Sequence, residues 1–349
     1  MHRIAFTSCA RIRYNNSKHD GALPYQMNPK DFDQPVWEYL LSHHKEKAFD
    51  AMLFLGDQVY TDYNFGNAPQ NWDPDVFHRL LYAMYAAQYD QVGAFKTLIK
   101  QLFTDHTKIG MIWDDHDFGY NNGGGRDLVF QNKMGSTRKL FEQFRDMVSR
   151  PLTDYPSIPI RPTTHPNEGI ERIKDPIKLG DSIEIVMLDG RWYREDTKEA
   201  NAQLLGESQW RDLEEKMSAW PENKLLIVCL GTVYAHKGLG ADQSWYRGGK
   251  SYAHFQRFTE LAKQKHIVFL TGDIHTNNFS SYTGFCEVTS SGAHTPKELF
   301  FNLLEPKNRH RFGILDIYDD RVVVNLFADN KIEADKSKTI SRVTGLPIP

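Results

Sequence analysis

The sequence predicts an α/β fold in which layers of helices cover layers of β-strands. Short apolar runs rich in β-branched residues recur along the chain, and longer stretches with apolar residues three and four positions apart lie between them. Near-continuous apolar runs are typical of strands buried on both faces, whereas the longer spacings are typical of amphipathic helices. Because the two patterns alternate, we expect a layered α/β domain.

The predicted strands are short and end at polar residues. They cover residues 4–7, 52–55, 109–113, 183–188, 225–230 and 267–271. Near the end of the chain, the alternating stretches FGILDIY and RVVVNLFA flank residues 319–320. Two alternating stretches joined by a short turn predict a β-hairpin.

Amphipathic spacing predicts five helices. They cover residues 34–47, 73–103, 132–148, 207–220 and 252–264. The second begins at Asp73, a residue suited to the N-cap, and continues with Pro74, which is favoured in the first helical turn. Residues 151–181 contain many prolines and no sustained period, so we expect a long surface excursion there rather than a linker between domains.

The overall composition is that of a soluble globular protein. Of the 349 residues, 40% are hydrophobic and 25% are charged, and no window approaches the roughly 18 apolar residues of a membrane span. The net charge of −3 argues against an extended nucleic-acid surface, and three distant cysteines do not form a disulfide framework. No signal peptide follows Met1, so we expect a cytoplasmic protein, or an exported one if the chain is a trimmed mature form.

Polar and ionisable residues follow the predicted strands directly. They lie at residues 8–9, 56–60, 114–117, 189–191 and 272–275. In open α/β sheets, ligands bind at the carboxyl ends of the strands, where loops from several strands converge. Carboxylates clustered at one sheet edge repel each other and are poorly solvated, so they need cations. The pattern therefore predicts a metal site.

The residue types in these segments favour two metal ions. Thiolate, imidazole and phenolate groups suit transition metals, whereas carboxylates suit harder cations or bridge two ions. Two ions about 4 Å apart clamp the attacking and leaving oxygens of a displacement at phosphorus, with a metal-bound hydroxide as the nucleophile. Histidine has an intrinsic pKa suited to donating a proton to the leaving alkoxide, and His116 lies one residue beyond a candidate ligand.

Each candidate also has a structural interpretation. Cys9 and Tyr60 could be packed core residues, and His116 could be a further ligand or a hydrogen-bonded structural histidine. Arg191 could form a surface salt bridge. Adjacent side chains diverge, so the three aspartates of the DDHD motif cannot all bind metal. We assign the metal to Asp115 and allow its aspartate neighbours to cap turns.

Six motifs, taken together and in order, resemble the alkaline phosphatase D (PhoD-like) family of metallophosphoesterases. They are LFLGDQVY, WDDHDFGYNN, LDGRWYR, LLGESQW, FLTGDIH and EVTSSG, and the likeness spans residues 4–328. The combination of GD-x-x-Y with DDHD and GDIH at strand ends is specific, whereas GD or SC alone would carry no information.

The resemblance implies a fold and an activity. The fold is a four-layer sandwich of two mixed β-sheets flanked by helices, as in the calcineurin-like metallophosphoesterase superfamily. The activity is hydrolysis of small-molecule phosphoric monoesters or diesters, with triesters as further candidate substrates. We also expect a single PhoD-like domain over residues 1–349 without a separate N-terminal β-domain, because the metal motif begins almost at the first residue.

The resemblance also implies which residues bind metal. It places Cys9, Tyr60 and His275 on a first ion, Asp273 on a second, Asp57 between them, and Asp115 where the superfamily has a metal-binding asparagine. Iron with calcium is the implied pair, and zinc or manganese would also suit these residue types.

Two further residues receive roles from the resemblance. His116 stands in the place of the catalytic histidine, and Arg191 in a position suited to bind substrate phosphate through its guanidinium fork. Asp114 and Asn121 are supporting candidates.

The chain departs from the family pattern in three places. Gly190 stands where threonine is common, and Asn122 where aspartate is common. The loop GTVYAH offers Thr232 or His236 where more typical metallophosphoesterases have a histidine on the second metal. The ligand set and the identity of the second ion are therefore open.

Two functional hypotheses follow. The first is a hydrolase of phosphate esters, and the second is a catalytically silent fold that binds a metal or a phosphorylated ligand. His116 together with Asp115 and Asp273 favours the hydrolase, because turnover needs a proton donor beside complete metal shells.

Overall fold

Two mixed β-sheets form the framework of the protein. The structure is a computed structural model. It describes residues 1–12, 27, 29–61, 73–125, 128–150, 176–195, 202–235, 244–247, 250–251, 253–263, 265, 267–294, 310–342 and 344–348, with the backbone alone over residues 128–136, 246–247 and 250–251. A surface excursion was predicted over residues 151–181, and residues 151–175 of that range lie outside the described residues.

The strands are numbered in chain order. They are β1 (His2–Thr7), β2 (Ala51–Leu55), β3 (Lys108–Ile112), β4 (Ile177–Leu179), β5 (Ile183–Met187), β6 (Leu225–Cys229), β7 (Tyr246–Arg247), β8 (Lys250–Ser251), β9 (Ile267–Thr271), β10 (Asn277–Tyr282), β11 (Phe285–Ser290), β12 (Arg311–Ile317), β13 (Arg321–Ala328), β14 (Lys331–Ile332), β15 (Lys338–Ser341) and β16 (Pro347–Ile348). The six predicted strands are confirmed, with ends that differ by at most two residues.

The helices are numbered in the same way. They are α1 (Val36–Glu46), α2 (Pro74–Asp90), α3 (Gly93–Thr104), α4 (Asp115–Phe118), α5 (Leu128–Ser149), α6 (Glu207–Ala219) and α7 (Ala253–Ala262), and a short 3-10 helix covers Pro29–Asp31. The predicted N-cap is confirmed, because Asp73 accepts hydrogen bonds from the backbone nitrogens of Asp75 (2.9 Å) and Val76 (3.0 Å).

The first sheet has the strand order β16-β15-β13-β12-β1-β2-β3, with β14 paired to β13. Strands β1, β2 and β3 are parallel, and β12 and β13 form the predicted antiparallel hairpin. The second sheet has the order β10-β11-β9-β6-β5-β4, in which the central four strands are parallel and both edges are antiparallel.

Three hydrophobic clusters separate four layers. In β2, Leu53 and Leu55 point into a core that both sheets share, whereas Met52 and Phe54 pack with the helices α1, α2, α3 and α5. The outer face of the second sheet packs against α6 and α7. The alternation follows from the two-residue period of a strand that is buried on both faces. The predicted four-layer sandwich is therefore confirmed.

The prediction of one helix over residues 73–103 is wrong. The structure has two helices, α2 and α3, which are separated at Gln91 and Val92. Val92 leaves the helical region (φ −85°, ψ 84°) and is buried, and Gly93, a poor helix former, begins the second helix. The break lets α2 pack on α5 while α3 packs on α1.

Two expectations from composition can be compared with the structure. Cys9, Cys229 and Cys286 are free and buried, and the sequence likewise predicted no disulfide framework. Among the described residues, no helix combines the length and the apolar character that crossing a membrane requires.

The packing of α7 on α6 yields a prediction about acid stability. His254 of α7 is buried and stacks on Trp210 of α6, with ring centroids 4.4 Å apart. Burial lowers the pKa of His254 from 6.5 to about 4. The imidazole is therefore neutral in the folded protein, while the unfolded chain takes up a proton below about pH 6.5. Stability from this residue is lost as the pH falls from about 6.5 to about 4.

We predict that His254→Phe, which keeps an aromatic ring on Trp210, reduces this acid sensitivity. Between about pH 7.5 and pH 4.5, the variant should lose less free energy of unfolding than the parent, by on the order of 2 kcal/mol. Urea unfolding of both proteins at the two pH values measures the difference. Equal losses in both proteins would contradict a neutral buried imidazole.

Candidate metal centre

The candidate site lies where strands of both sheets end. Cys9 follows β1, Asp57 follows β2, and the DDHD motif follows β3 and opens α4, while Asp273 and His275 follow β9. Strand pairing sets Thr7 beside Phe54, so the carboxyl ends of β1 and β2 are nearly level. The chain therefore brings residues that are far apart in sequence to one edge of the sandwich.

The first group of candidate ligands combines three residue types. Ligand atoms of Cys9, Asp57 and His275 all lie within 4.8 Å of one another, and the Cys9 Sγ is 3.3 Å from the Asp57 Oδ2. The Tyr60 hydroxyl is 3.0 Å from the His275 Nε2 and 3.5 Å from the Asp57 Oδ2. The four residues that the sequence assigns to the first ion or to the bridge therefore meet at one point.

The second group consists of carboxylates. Ligand oxygens of Asp57, Asp114, Asp115 and Asp273 lie within 4.8 Å of one another. Within the described part of the chain, the buried Oδ2 atoms of Asp114 and Asp273 have no hydrogen-bond partner. Buried carboxylate oxygens without partners fit cation ligands. Asp57 belongs to both groups, so the residues could hold more than one metal ion.

The backbone at these positions is strained. Cys9, Asp57, Asp273 and His275 have φ values of 61°, 56°, 69° and 51°, in the left-handed region that non-glycine residues rarely adopt. Each such residue costs about 1 to 3 kcal/mol. Gly272 allows the close approach of the two sheets, because a Cβ there would lie 2.5 Å from the Ser8 Oγ and 2.8 Å from the Leu55 carbonyl oxygen. The bent segments aim four side chains at one point.

The electrostatics of the site also favour cations. Burial, together with the charges of neighbouring acidic groups, raises the pKa of Asp57 and of Asp273 well above the usual range. Burial raises the pKa of the Cys9 thiol to about 11. Burial, with the charges of His116 and Arg11, lowers the pKa of His275 to about 3, which leaves its imidazole neutral and able to bind a metal.

His116 lies beside the cluster. Its backbone nitrogen donates to the Asp57 Oδ1 (3.3 Å), and its ring stacks on Tyr60 with centroids 4.0 Å apart. A ring nitrogen of His116 and carboxylate oxygens of Asp57 and Asp115 lie within 4.8 Å of one another. This placement suits a proton donor and a further ligand equally well.

The three aspartates of the DDHD motif have different surroundings. Asp117 is a structural residue, because its carboxylate accepts hydrogen bonds from the Gln58 nitrogen (2.9 Å), the Tyr85 hydroxyl (3.1 Å) and the Asp114 nitrogen (3.2 Å). Burial raises the pKa of Asp117 to about 7. Asp115 accepts a hydrogen bond from the Asn122 nitrogen (2.7 Å). Both Asp114 and Asp115 remain within reach of a cation.

Arg191 is fully buried and faces the DDHD carboxylates, so its interpretation as a surface salt bridge is wrong. Its Nε donates to the Asp114 Oδ1, and its Nη2 is 3.5 Å from the Asp115 Oδ1. The Arg191 Nη2 also donates to the Thr232 hydroxyl (3.2 Å). His236, the second candidate in that loop, lies outside the described residues. Asn121 is exposed.

The sequence did not single out Ser291 as a site residue. Its hydroxyl is 3.1 Å from the Cys9 Sγ and accepts a hydrogen bond from the His275 nitrogen (2.9 Å). Ser291 follows β11 within the motif EVTSSG, so its strand-end position was the available signal.

A sequence model described as PhoD-like phosphatase matches residues 30–301. The chain belongs to this family. It is accordingly a phosphoric ester hydrolase whose substrates are phosphate esters, as the resemblance implied. No curated protein matches the sequence significantly.

Solved structures agree with this PhoD-like phosphatase in fold. The structure of PhoD has a TM-score of 0.60 at 18% identity, over 99% of this chain and 71% of that one. A dimetal phosphatase from Danio rerio has a TM-score of 0.52 at 11% identity, over 98% of this chain and 99% of that one. At these identities the likeness shows the metallophosphoesterase fold alone.

We predict that Asp57→Asn has opposite effects on stability with and without metals. In chelated protein, the neutral side chain removes a buried charge and should add about 1 to 3 kcal/mol to the free energy of unfolding. The pKa of Asp57 is raised in the folded protein, so the chelated parent loses stability as the pH rises above the pKa of an aspartate in the unfolded chain. The gain in free energy of unfolding from Asp57→Asn should therefore be larger at about pH 8 than at about pH 5. With metals bound, the variant should be less stable than the parent.

Thermal unfolding with and without chelator measures both effects. Asp316→Asn is the matched control, because Asp316 contacts Arg3 (3.4 Å) and Lys47 (3.3 Å) at the amino end of β1, away from the candidate site. It should lower stability equally in both conditions. A loss of stability in chelated Asp57→Asn would show that Asp57 serves the fold without cations.

Proposed function

We propose that this PhoD-like phosphatase hydrolyses phosphoric monoesters or diesters with the help of two cations that share Asp57, and that His116 donates a proton to the leaving group. One observation carries the proposal. Two groups of candidate ligands, different in chemistry, meet at a single carboxylate, and a histidine lies within 4.8 Å of that carboxylate. We also propose that residues 1–349 act as one domain.

The two ligand groups suit different cations. Cys9, Tyr60 and His275 supply sulfur, phenolic oxygen and nitrogen, a combination that suits iron or zinc. Asp115 and Asp273 supply oxygen alone, which suits calcium or manganese. With Asp57 between them, iron and calcium are the favoured pair. Binding at the first position requires that Cys9 lose its proton, which a cation promotes.

The chain supports hydrolysis by orienting groups around the cations. When bound, the two ions would activate a water molecule and neutralise the developing phosphoryl charge. The stacking of His116 on Tyr60 and the hydrogen bond from the His116 backbone to Asp57 fix the imidazole beside the ligands. From that position, the imidazole can protonate the departing alkoxide. A role of Arg191 in binding substrate phosphate stays a prediction.

Because the chain belongs to a phosphatase family, the catalytically silent module that the sequence left open is not proposed. Elemental analysis of the purified protein, with nitrophenyl monoesters, diesters and triesters as substrates, tests the finer proposal. Fewer than two bound cations per active chain would contradict the two-cation site.

We predict that Cys9→Ala depletes the softer ion selectively. Cys9 is the one sulfur among the candidate ligands, and thiolates select iron or zinc over calcium. Elemental analysis of the variant should show less iron or zinc per chain with little change in calcium. A metal content equal to that of the parent would identify Cys9 as a core residue.

We predict that His116→Ala lowers kcat by roughly 10² to 10⁴, the usual contribution of a positioned acid, while the metals stay bound. The loss should be smallest for nitrophenyl esters, whose leaving groups need little protonation, and largest for simple alkyl esters. KM should stay within a few-fold of the parent value. Kinetics over a series of leaving groups, with elemental analysis of the same samples, measure these effects. Equal losses over the series would instead assign His116 to transition-state charge stabilisation.

A further inference from the structure

Thr232 lies just beyond the carboxyl end of β6, beside the first aspartate of the DDHD motif. Its hydroxyl is buried and accepts hydrogen bonds from the Arg191 Nη2 (3.2 Å) and the Arg194 Nη1 (3.3 Å). The same hydroxyl donates to the Asp114 Oδ1 (3.4 Å). A hydroxyl offers one donor and two acceptor sites, so these contacts use all three. Thr232 therefore has no lone pair left for a cation.

Arg191 contacts the same carboxylate. Its Nε donates to the Asp114 Oδ1, and its Nη2 approaches Asp115 to 3.5 Å. Its Nη1 donates to the Gly123 carbonyl oxygen (3.4 Å). The guanidinium is fully buried, and its fork is directed at Asp114 and Thr232. One oxygen of Asp114 is thus held by Arg191 and Thr232, and the other is without a hydrogen-bond partner among the described residues.

The backbone fixes Thr232 from both sides. Gly231 accepts a hydrogen bond from the Gly272 nitrogen (2.7 Å), and a Cβ on Gly231 would lie 2.5 Å from the Asp114 Cγ. Two residues later, the Tyr234 nitrogen donates to the buried Glu287 (2.6 Å). The segment that carries Thr232 is therefore packed directly against Asp114.

We propose that Thr232 and Arg191 are positioning residues that hold Asp114 and Asp115 against the second cation. This inference rests on the proposed two-cation function. The cation would then meet oxygen ligands alone, which is the ligand set of a hard divalent ion such as calcium. Residues around the ligands set their orientation, and losing one such residue weakens metal binding by roughly 10- to 100-fold.

Calcium titration of the full-length protein tests the inference. After dialysis against a calcium chelator and then against buffer, calorimetry gives the Kd of calcium for the parent and for two variants. Thr232→Val removes the hydroxyl at nearly constant volume and should raise the Kd roughly 10- to 100-fold. Thr232→Ser keeps the hydroxyl and should keep the parental Kd. The content of the first metal should be unchanged in both variants.

Thr107→Val is the matched control. The Thr107 hydroxyl is also buried and donates one hydrogen bond, to the Phe49 carbonyl oxygen (2.9 Å), but it lies at the amino end of β3, away from the site. This variant should lose stability without a change in the Kd of calcium. An increase in Kd equal to that of Thr232→Val would show that any loss of stability weakens calcium binding, and would overturn the inference.

Arg191→Lys separates positioning from substrate binding. If Arg191 acts through Asp114, the Kd of calcium should rise in this variant, whether or not its KM also changes. A raised KM and weaker inhibition by inorganic phosphate, with an unchanged Kd of calcium, would make Arg191 a substrate ligand and overturn the inference. If the parent and Thr232→Val had equal Kd values for calcium, the inference about Thr232 would be overturned and the two-cation proposal would stand. A parent that binds no calcium would overturn the calcium assignment together with the two-cation proposal.

Discussion

The rest of the site depends on one constraint, which is that several carboxylates and a thiol are buried together at one end of the sandwich. Removing a charge from water costs several kcal/mol even after relaxation, and like charges raise this cost further. Ligand oxygens of Asp57, Asp114, Asp115 and Asp273 lie within 4.8 Å of one another, and Arg191 contacts two of these residues. The charge of the buried Arg194 also acts on Asp114 and Asp273. Two guanidiniums are fewer than four carboxylates, which favours further cations at this end of the described structure.

The fold meets this constraint by dividing the ligands between two sheets. Cys9 and Asp57 end strands of the first sheet, and Asp273 and His275 end a strand of the second. Gly272, after β9, lets the sheets touch, because a Cβ there would lie 2.5 Å from the Oγ of Ser8, which follows β1 in the other sheet. The left-handed backbone at the candidate ligands is tolerated because the packing around these residues holds them in that conformation. On the two-cation proposal, cation binding would therefore be coupled to the relative position of the two sheets.

Burial explains which features the sequence could predict. The strands were predictable because burial on both faces leaves an unbroken apolar run. The clustering of the candidate ligands was predictable because these residues follow those runs directly. The break between α2 and α3 at Val92 was not predictable, because neither Gln91 nor Val92 forbids a helix. The break is determined by packing, since α2 and α3 pack on different helices. The rule that adjacent side chains diverge failed at Asp114 and Asp115. The backbone changes there from extended to helical, so both carboxylates face the same cluster.

The proposed cations are not equivalent, because their ligand groups place different demands on the chain. The first group contains the Cys9 thiol, whose pKa is raised to about 11 by burial, so a cation must displace a proton from sulfur to bind there. An ion bound there would also partly neutralise Asp57 and repel a second cation beside the same carboxylate. The second position would therefore depend on the remaining charges of Asp114, Asp115 and Asp273, which outnumber the share of Asp57 left to it. On the two-cation proposal, the two ions would accordingly bind with unequal affinities.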